Sequence, residues 1–173
     1  MIAEAARYAH FNMKRDGFIA PMMMAATDDG IMMFTPKDMN DEDGKDTFAN
    51  TVRMIAGTYG ASALVLILES WMTRASQEGS LDMTPPSESY EREEVVTLIG
   101  QSKEGNCTRM YPIVRLDNGK FWNLGDPLDL GADSFSGRFA GLLPTKEVDL
   151  TMRKLGKKLL KAMGVELIPL PRR

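Results

Sequence analysis

The chain has 173 residues, a mass of 19.2 kDa and a formal charge of −3 at pH 7. Hydrophobic residues make up 43% and charged residues 26%, which excludes wholesale disorder and predicts one domain spanning 1–173. No apolar run approaches the roughly 18–20 residues that cross a bilayer, and the single Cys107 and single His10 exclude an internal disulfide, a cysteine cluster and a multi-histidine metal site.

The first residues, 2–14, place Ile2, Ala6, Ala9 and Met13 on one stripe, which predicts a helix stopped by Asp16-Gly17. The opening segment has no apolar signal core, so the expectation is the mature start of a cytoplasmic protein without a membrane span. Residues 18–26 and 31–35 read as two strands joined by Asp28-Asp29-Gly30. Pro21 lacks an N–H, which predicts that the first strand lies at an edge or breaks there.

This hairpin region concentrates methionine. Of fourteen in the chain, six are Met22, Met23, Met24, Met32, Met33 and Met39. The plain reading is adaptable core filler. The sharper readings are an apolar partner surface using Met22, Met24 and Met33, or thioether ligation of Cu(I). Alternation turns Met22 and Met24 away from Met23, which spoils a compact thioether cluster. No cofactor is implied.

A helix follows at about 46–59, with Phe48, Val52, Ile55 and Tyr59 on one face. Asp41, Glu42, Asp43 and Asp46 precede or open it, where negative charge meets free N–H groups, and Gly60 suits its left-handed end. Asp38 to Gly44 superficially suggests a calcium loop, but its sixth position is Asp43 and its twelfth Ala49, where glycine and glutamate are required. Leu64 to Leu68 is continuously apolar, which predicts a central strand covered on both faces, with Glu69 at its end. A polar loop is expected over 73–91. Strands follow at 93–101 and 107–116, and Asp117-Asn118-Gly119 predicts a type I′ turn into a strand at 120–124.

Residues 125–144 read as a second long irregular stretch. The final helix is expected from Thr145 as N-cap, with Val148, Met152, Leu155, Leu159 and Met163 forming its buried stripe. Gly164 ends it and a short strand follows at 165–170. Residues 145–173 hold eight basic and three acidic side chains, so this segment is +5 and the first 144 residues carry −8.

The predicted fold is α+β: a mixed, mainly antiparallel sheet of five to six strands packed by helices, in a profilin-like or roadblock-like element order. From Phe18 to about Ile99 the chain also resembles an uncharacterised family of small bacterial and phage proteins. The matching pieces are Phe18-Ile19-Ala20-Pro21, Glu69-Ser70-Trp71-Met72, and Pro86-Ser87-Glu88 followed by Arg92-Glu93-Glu94. That family has no assigned activity, so the resemblance implies a bacterial or phage setting and little chemistry.

Three functions compete. The first is a non-catalytic protein-interaction or regulatory module that binds a protein partner or itself, using Met22, Met24, Met33, Trp71 and the helix lysines Lys154, Lys157 and Lys161. The second is a metal-assisted hydrolase or nuclease pairing Glu69 with Glu93 or Glu94 as ligands or as acid and base. Its plain counterpart is a structural carboxylate at Glu69, satisfied by Arg74, Arg92 or a backbone donor. The third is a nucleic-acid binder using the basic face of the last helix, a feature that any solvated surface helix also shows. His10 reads as a partly buried helix residue and Cys107 as a plain structural thiol. Asp126, Asp129 and Asp133 match no ligand spacing. The phosphate-loop, dinucleotide, HExxH and GxSxG motifs are absent. The leading reading is the interaction module, and no enzyme is expected.

Overall fold

The computed structural model describes residues 1–73, 85, 88–128 and 137–170. Most of the expected loop over 73–91 lies outside them, as do Arg74, Pro86, Ser87, Asp129 and Asp133. The elements run α1 (Ile2–Asp16), β1 (Met22–Thr27), β2 (Gly30–Phe34), α2 (Glu42–Tyr59), β3 (Ala63–Thr73), β4 (Arg92–Ser102), β5 (Gly105–Arg115), β6 (Phe121–Leu124), α3 (Leu150–Ala162) and β7 (Ile168–Pro169). The fold is α+β. The sheet has seven strands, where five to six were expected, in the order β6-β5-β4-β3-β1-β2-β7. Every pairing is antiparallel, so the expected mixed character is absent among the described strands.

Local chemistry sets the element ends. Asp41 Oδ1 accepts from the Gly44 N–H at 2.7 Å and caps α2, which starts four residues before the predicted 46. Gly17 and Gly60 take left-handed conformations that close α1 and α2. β1 begins directly after Pro21 and sits inside the sheet between β3 and β2, so the proline marks a break. The β5–β6 connection differs from the predicted type I′ turn. Gly119 N–H donates to the Leu116 carbonyl, and Leu116 N–H to the Lys120 carbonyl, at 2.8 Å each. Gly119 has φ 76°. This is a three-residue loop ending in a left-handed glycine.

β3 is the fourth of the seven strands, and both its faces are covered. Val65 and Ile67 join Met22, Met24, Met33, Val96 and Leu98 in a core under α1, which contributes Ala5, Ala9 and Met13. Leu64 and Leu66 join Met23, Ala25 and Phe34 in a second core under α2, which contributes Phe48, Val52, Ile55 and Ala56. Two-sided cover explains the unbroken apolar run, and each fully buried Leu or Ile contributes about 1.5–3 kcal/mol. β3 does not stop at Leu68: it pairs with β4 out to Thr73↔Arg92.

α3 packs on α2 and differs most from expectation. Its N-cap is Asp149, whose side chain accepts from Met152 N–H at 2.9 Å; Thr145 lies outside the helix. It buries Gly156 and Leu160, and the predicted stripe is largely exposed. The reason is size. A Cβ on Gly156 would overlap Thr58 of α2, so the glycine lets the helices touch there and turns the larger side chains aside. Arg153 fixes that rotation by donating from Nε to the Val148 carbonyl at 3.1 Å and from Nη1 to Asp28 Oδ2 at 3.1 Å.

Residues 137–143 are anchored. Gln101 Nε2 donates to the Phe139 carbonyl at 2.5 Å, and its Oε1 accepts from Leu142 N–H at 2.9 Å. Arg138 pairs with Glu42 and Asp46 of α2. Among the described residues no helix is long and apolar enough to cross a membrane.

Candidate functional site

The strand-end carboxylates meet at one arginine. In the β3–β4 ladder Glu69 opposes Val96 and Glu94 opposes Trp71, so pleating puts Glu69, Trp71 and Glu94 on the α1 face. Glu93 opposes Met72 and points to the other face. Arg115, at the end of β5, donates from Nε to Glu94 Oε2 at 2.6 Å and from Nη1 to the Gly17 carbonyl at 3.3 Å. Its Nη2 stands 3.8 Å from Glu69 Oε1. Glu69 Oε2 also accepts the Ile19 N–H at 3.0 Å. The Arg92 guanidinium lies 4.5 Å above the Trp71 ring.

This arrangement ties the end of α1 and the chain before β1 to three strands. It brings Glu69 and Glu94 together but fills the space between them with a guanidinium. A metal ion would have to displace it. Among the described residues no group of three or more His, Cys, Asp or Glu side chains could hold a metal ion.

The hairpin methionines face inward. Met22, Met24 and Met33 are all buried beneath α1. As surface anchors they are unavailable in this state. His10 is half-buried on α1, its Nε2 3.0 Å from Asn123 Oδ1 and its ring edge-on to Phe121. Cys107 is half-buried on β5.

An exposed apolar stripe lies instead along α3 and its C-cap, besides scattered exposed residues such as Phe11, Phe18 and Trp122. Met152, Leu155, Leu159 and Met163 are 53, 47, 46 and 46% exposed. A lone exposed leucine is ordinary, but four at three- and four-residue spacing form a stripe. Beside it, Arg53, Met54 and Gly57 of α2 complete a cavity of about 280 Å³ with Met152, Leu155 and Leu159. A larger cavity of about 690 Å³ opens past the end of α3, lined by Phe34, Pro36, Thr47, Phe48, Met163 and Val165 among others. Lys154, Lys157 and Lys161 are exposed on the same helix, with the Lys157 ammonium 5.0 Å above the Tyr59 ring.

At the start of α2 the carboxylates Glu42 and Asp46 are paired with Arg138. Hydrogen bonds from Arg138 and Lys45 hold the Glu42 carboxyl down to about 2. Its two carboxylate partners raise the Arg138 guanidinium further above its already high value.

Arg115 and the α2 half of the seam were not among the sequence candidates. Arg115 was within reach of the sequence, because any β4–β5 loop of even length puts it on the Glu94 face. The loop is Lys103-Glu104, between the paired Ser102 and Gly105. Nothing in the sequence marks Arg53, Met54 and Gly57, which depend on where α3 docks.

No protein-family model, no curated protein and no solved structure matches the chain.

Proposed function

We propose that the protein is a non-catalytic interaction module, a single α+β unit whose docking face is the seam between α2 and α3. What supports this reading is one observation: α3 spends its glycine face on α2 and turns Met152, Leu155, Leu159 and Met163 outward. Solvent-facing leucines and methionines at helical spacing contribute little to folding but match the way a groove receives a partner helix.

The hydrolase reading has less behind it. Arg115 already engages both Glu69 and Glu94, and Glu93 lies across the sheet from them. For nucleic acid, Lys154, Lys157 and Lys161 supply charge, but the adjoining seam is lined mainly by apolar side chains, and its Arg53 guanidinium donates to the Arg138 carbonyl at 2.8 Å. The cytoplasmic, bacterial or phage setting and the profilin-like or roadblock-like element order belong to this proposal as context and assign no residue.

The test is affinity capture from bacterial lysate with the full chain and with Leu155→Asp/Leu159→Asp as baits. The expected result is a defined set of proteins held by the wild type and lost by the variant, with both baits unfolding at similar temperatures. Identical sets, or no retained protein, overturn the reading.

A further inference from the structure

A second site, independent of the docking face, lies where the chain after β2, the first half of α2 and the turn after α3 converge around the larger cavity. We propose that this cavity binds an uncharged, mainly apolar ring compound carrying one hydroxyl group, which the Thr51 hydroxyl meets at the inner end.

Thr51 supplies the polar end. Gly44, Thr47, Phe48 and Thr51 recur along α2 at three- and four-residue spacing, so they share the helix face that lines the cavity. Thr51 is the least exposed polar side chain on that lining, at 4%. Its hydroxyl makes no hydrogen bond among the described residues. No side-chain nitrogen or oxygen among them is both enclosed and without a partner. The Thr51 oxygen therefore opens onto the cavity. A hydroxyl both donates and accepts, so in this recess it matches a second hydroxyl, and leaving it unmatched is unfavourable.

Beside Thr51 the wall is aromatic. Phe48 and Phe34 are 1 and 8% exposed, with ring centroids 5.8 Å apart and planes 30° from parallel. Pro36, Val165 and Met163 extend the apolar lining. The volume, about 690 Å³, falls within the roughly 300–1,000 Å³ of small-molecule sites. A rigid ring gives large contact area to such a wall and loses little freedom on entering it.

Charge is confined to the mouth. Lys37, Asp38 and Glu166 line the cavity and are all exposed, so both signs stand at the entrance, whereas Phe34, Phe48 and Thr51 on the inner wall are uncharged. Lys37 reaches from the chain after β2 to the turn after α3, where its Nζ lies 3.5 Å from the place that a Cβ on Gly164 would take. An ionised head group at the Thr51 end would lose its water without meeting an opposite charge. An uncharged hydroxyl avoids that cost.

The experiment is titration of the full-length, nitrogen-15-labelled chain at neutral pH with three probes that share one ring system: 2-naphthol, 2-naphthoate and 2-naphthylmethylammonium. Amide chemical shifts locate and quantify binding. The expected result is that 2-naphthol moves the Thr47, Phe48, Thr51 and Val165 amides with a Kd below about 1 mM. It should bind at least about five-fold more tightly than either ionised probe. Thr51→Val should weaken 2-naphthol about three- to ten-fold, and Thr51→Ser, which keeps the hydroxyl, should retain the affinity. Thr47→Trp, at an exposed position on the same wall, should fill the mouth and remove binding without lowering the unfolding temperature. No movement of these amides, or movement confined to Met54 and Leu155 at the α2–α3 seam, overturns the site. Equal or tighter binding of the carboxylate or the ammonium probe overturns the uncharged class. Unchanged 2-naphthol affinity in Thr51→Val, or equal loss in Thr51→Val and Thr51→Ser, overturns the part given to the Thr51 hydroxyl.

Discussion

Gly156 of α3 lies directly against Thr58 of α2, with no room for a Cβ between them. This contact sets the rotation of α3 and therefore which side chains reach solvent. Gly156→Ala is expected to lower stability by about 1–2 kcal/mol, because overpacking outweighs the better helix propensity of alanine. Thr58→Ala in the same chain should recover most of the loss. Urea denaturation of the two single variants and the double variant measures it, and strictly additive losses would contradict the contact.

Leu160 is buried, while Leu155 and Leu159 are about half exposed. Leu160→Ala should cost about 2–4 kcal/mol, and Leu155→Ala or Leu159→Ala about 1 kcal/mol or less. Equal losses at 155 and 160 in denaturant titrations would mean that α3 is turned the other way.

Arg115 links Glu69, Glu94 and the Gly17 carbonyl while remaining about a quarter exposed. Arg115→Met should cost about 1 kcal/mol, since solvent screens the pairs but two carboxylates lose their shared counter-charge. Adding Glu94→Gln should make that loss smaller. If the double variant is less stable than Arg115→Met alone, the arginine is not acting through the carboxylates.

Glu42 is held down to about 2 by Arg138 and Lys45, below its ordinary 4.5. A depressed carboxyl contributes its stabilisation above the ordinary value and loses it as pH falls toward the depressed one. The attachment of residues 137–143 to α2 should therefore weaken between about pH 4.5 and pH 2. The protection of the Ala140 and Leu142 amides, taken as exchange relative to the intrinsic rate at each pH, should fall as pH is lowered across that range. Glu42→Gln should flatten the Glu42 part of the response, and an unchanged profile in that variant would refute the assignment.

The central strand, the hairpin alternation and the C-terminal ends of α1 and α2 were legible because each rests on local signals. Leu64 to Leu68 announces two-sided burial, Gly17 and Gly60 announce stops, and alternation separates Met23 from Met22 and Met24; the start of α2 falls four residues before the expected one, because several acidic residues in a row could each open it. The rotation of α3 was not legible. Periodicity ranks helix faces by their large apolar residues, so it selects Met152, Leu155 and Leu159 for burial. The structure instead chooses the face where Gly156 permits close approach, and that requires knowing that Thr58 lies opposite. The carboxylate cluster was half legible. Glu69 asks for a donor, and Arg74 and Arg92 are near it in sequence or strand, whereas Arg115 is brought to it only by the β4–β5 fold-back.

One border of the sheet is finished by Pro169, which sits opposite Met32 in β7, a strand only two residues long. An imide nitrogen has no hydrogen to lend, so this margin makes a poor template for a further chain. Lateral accretion of strands is therefore favoured at the opposite margin, formed by β6 and the part of β5 that β6 leaves uncovered.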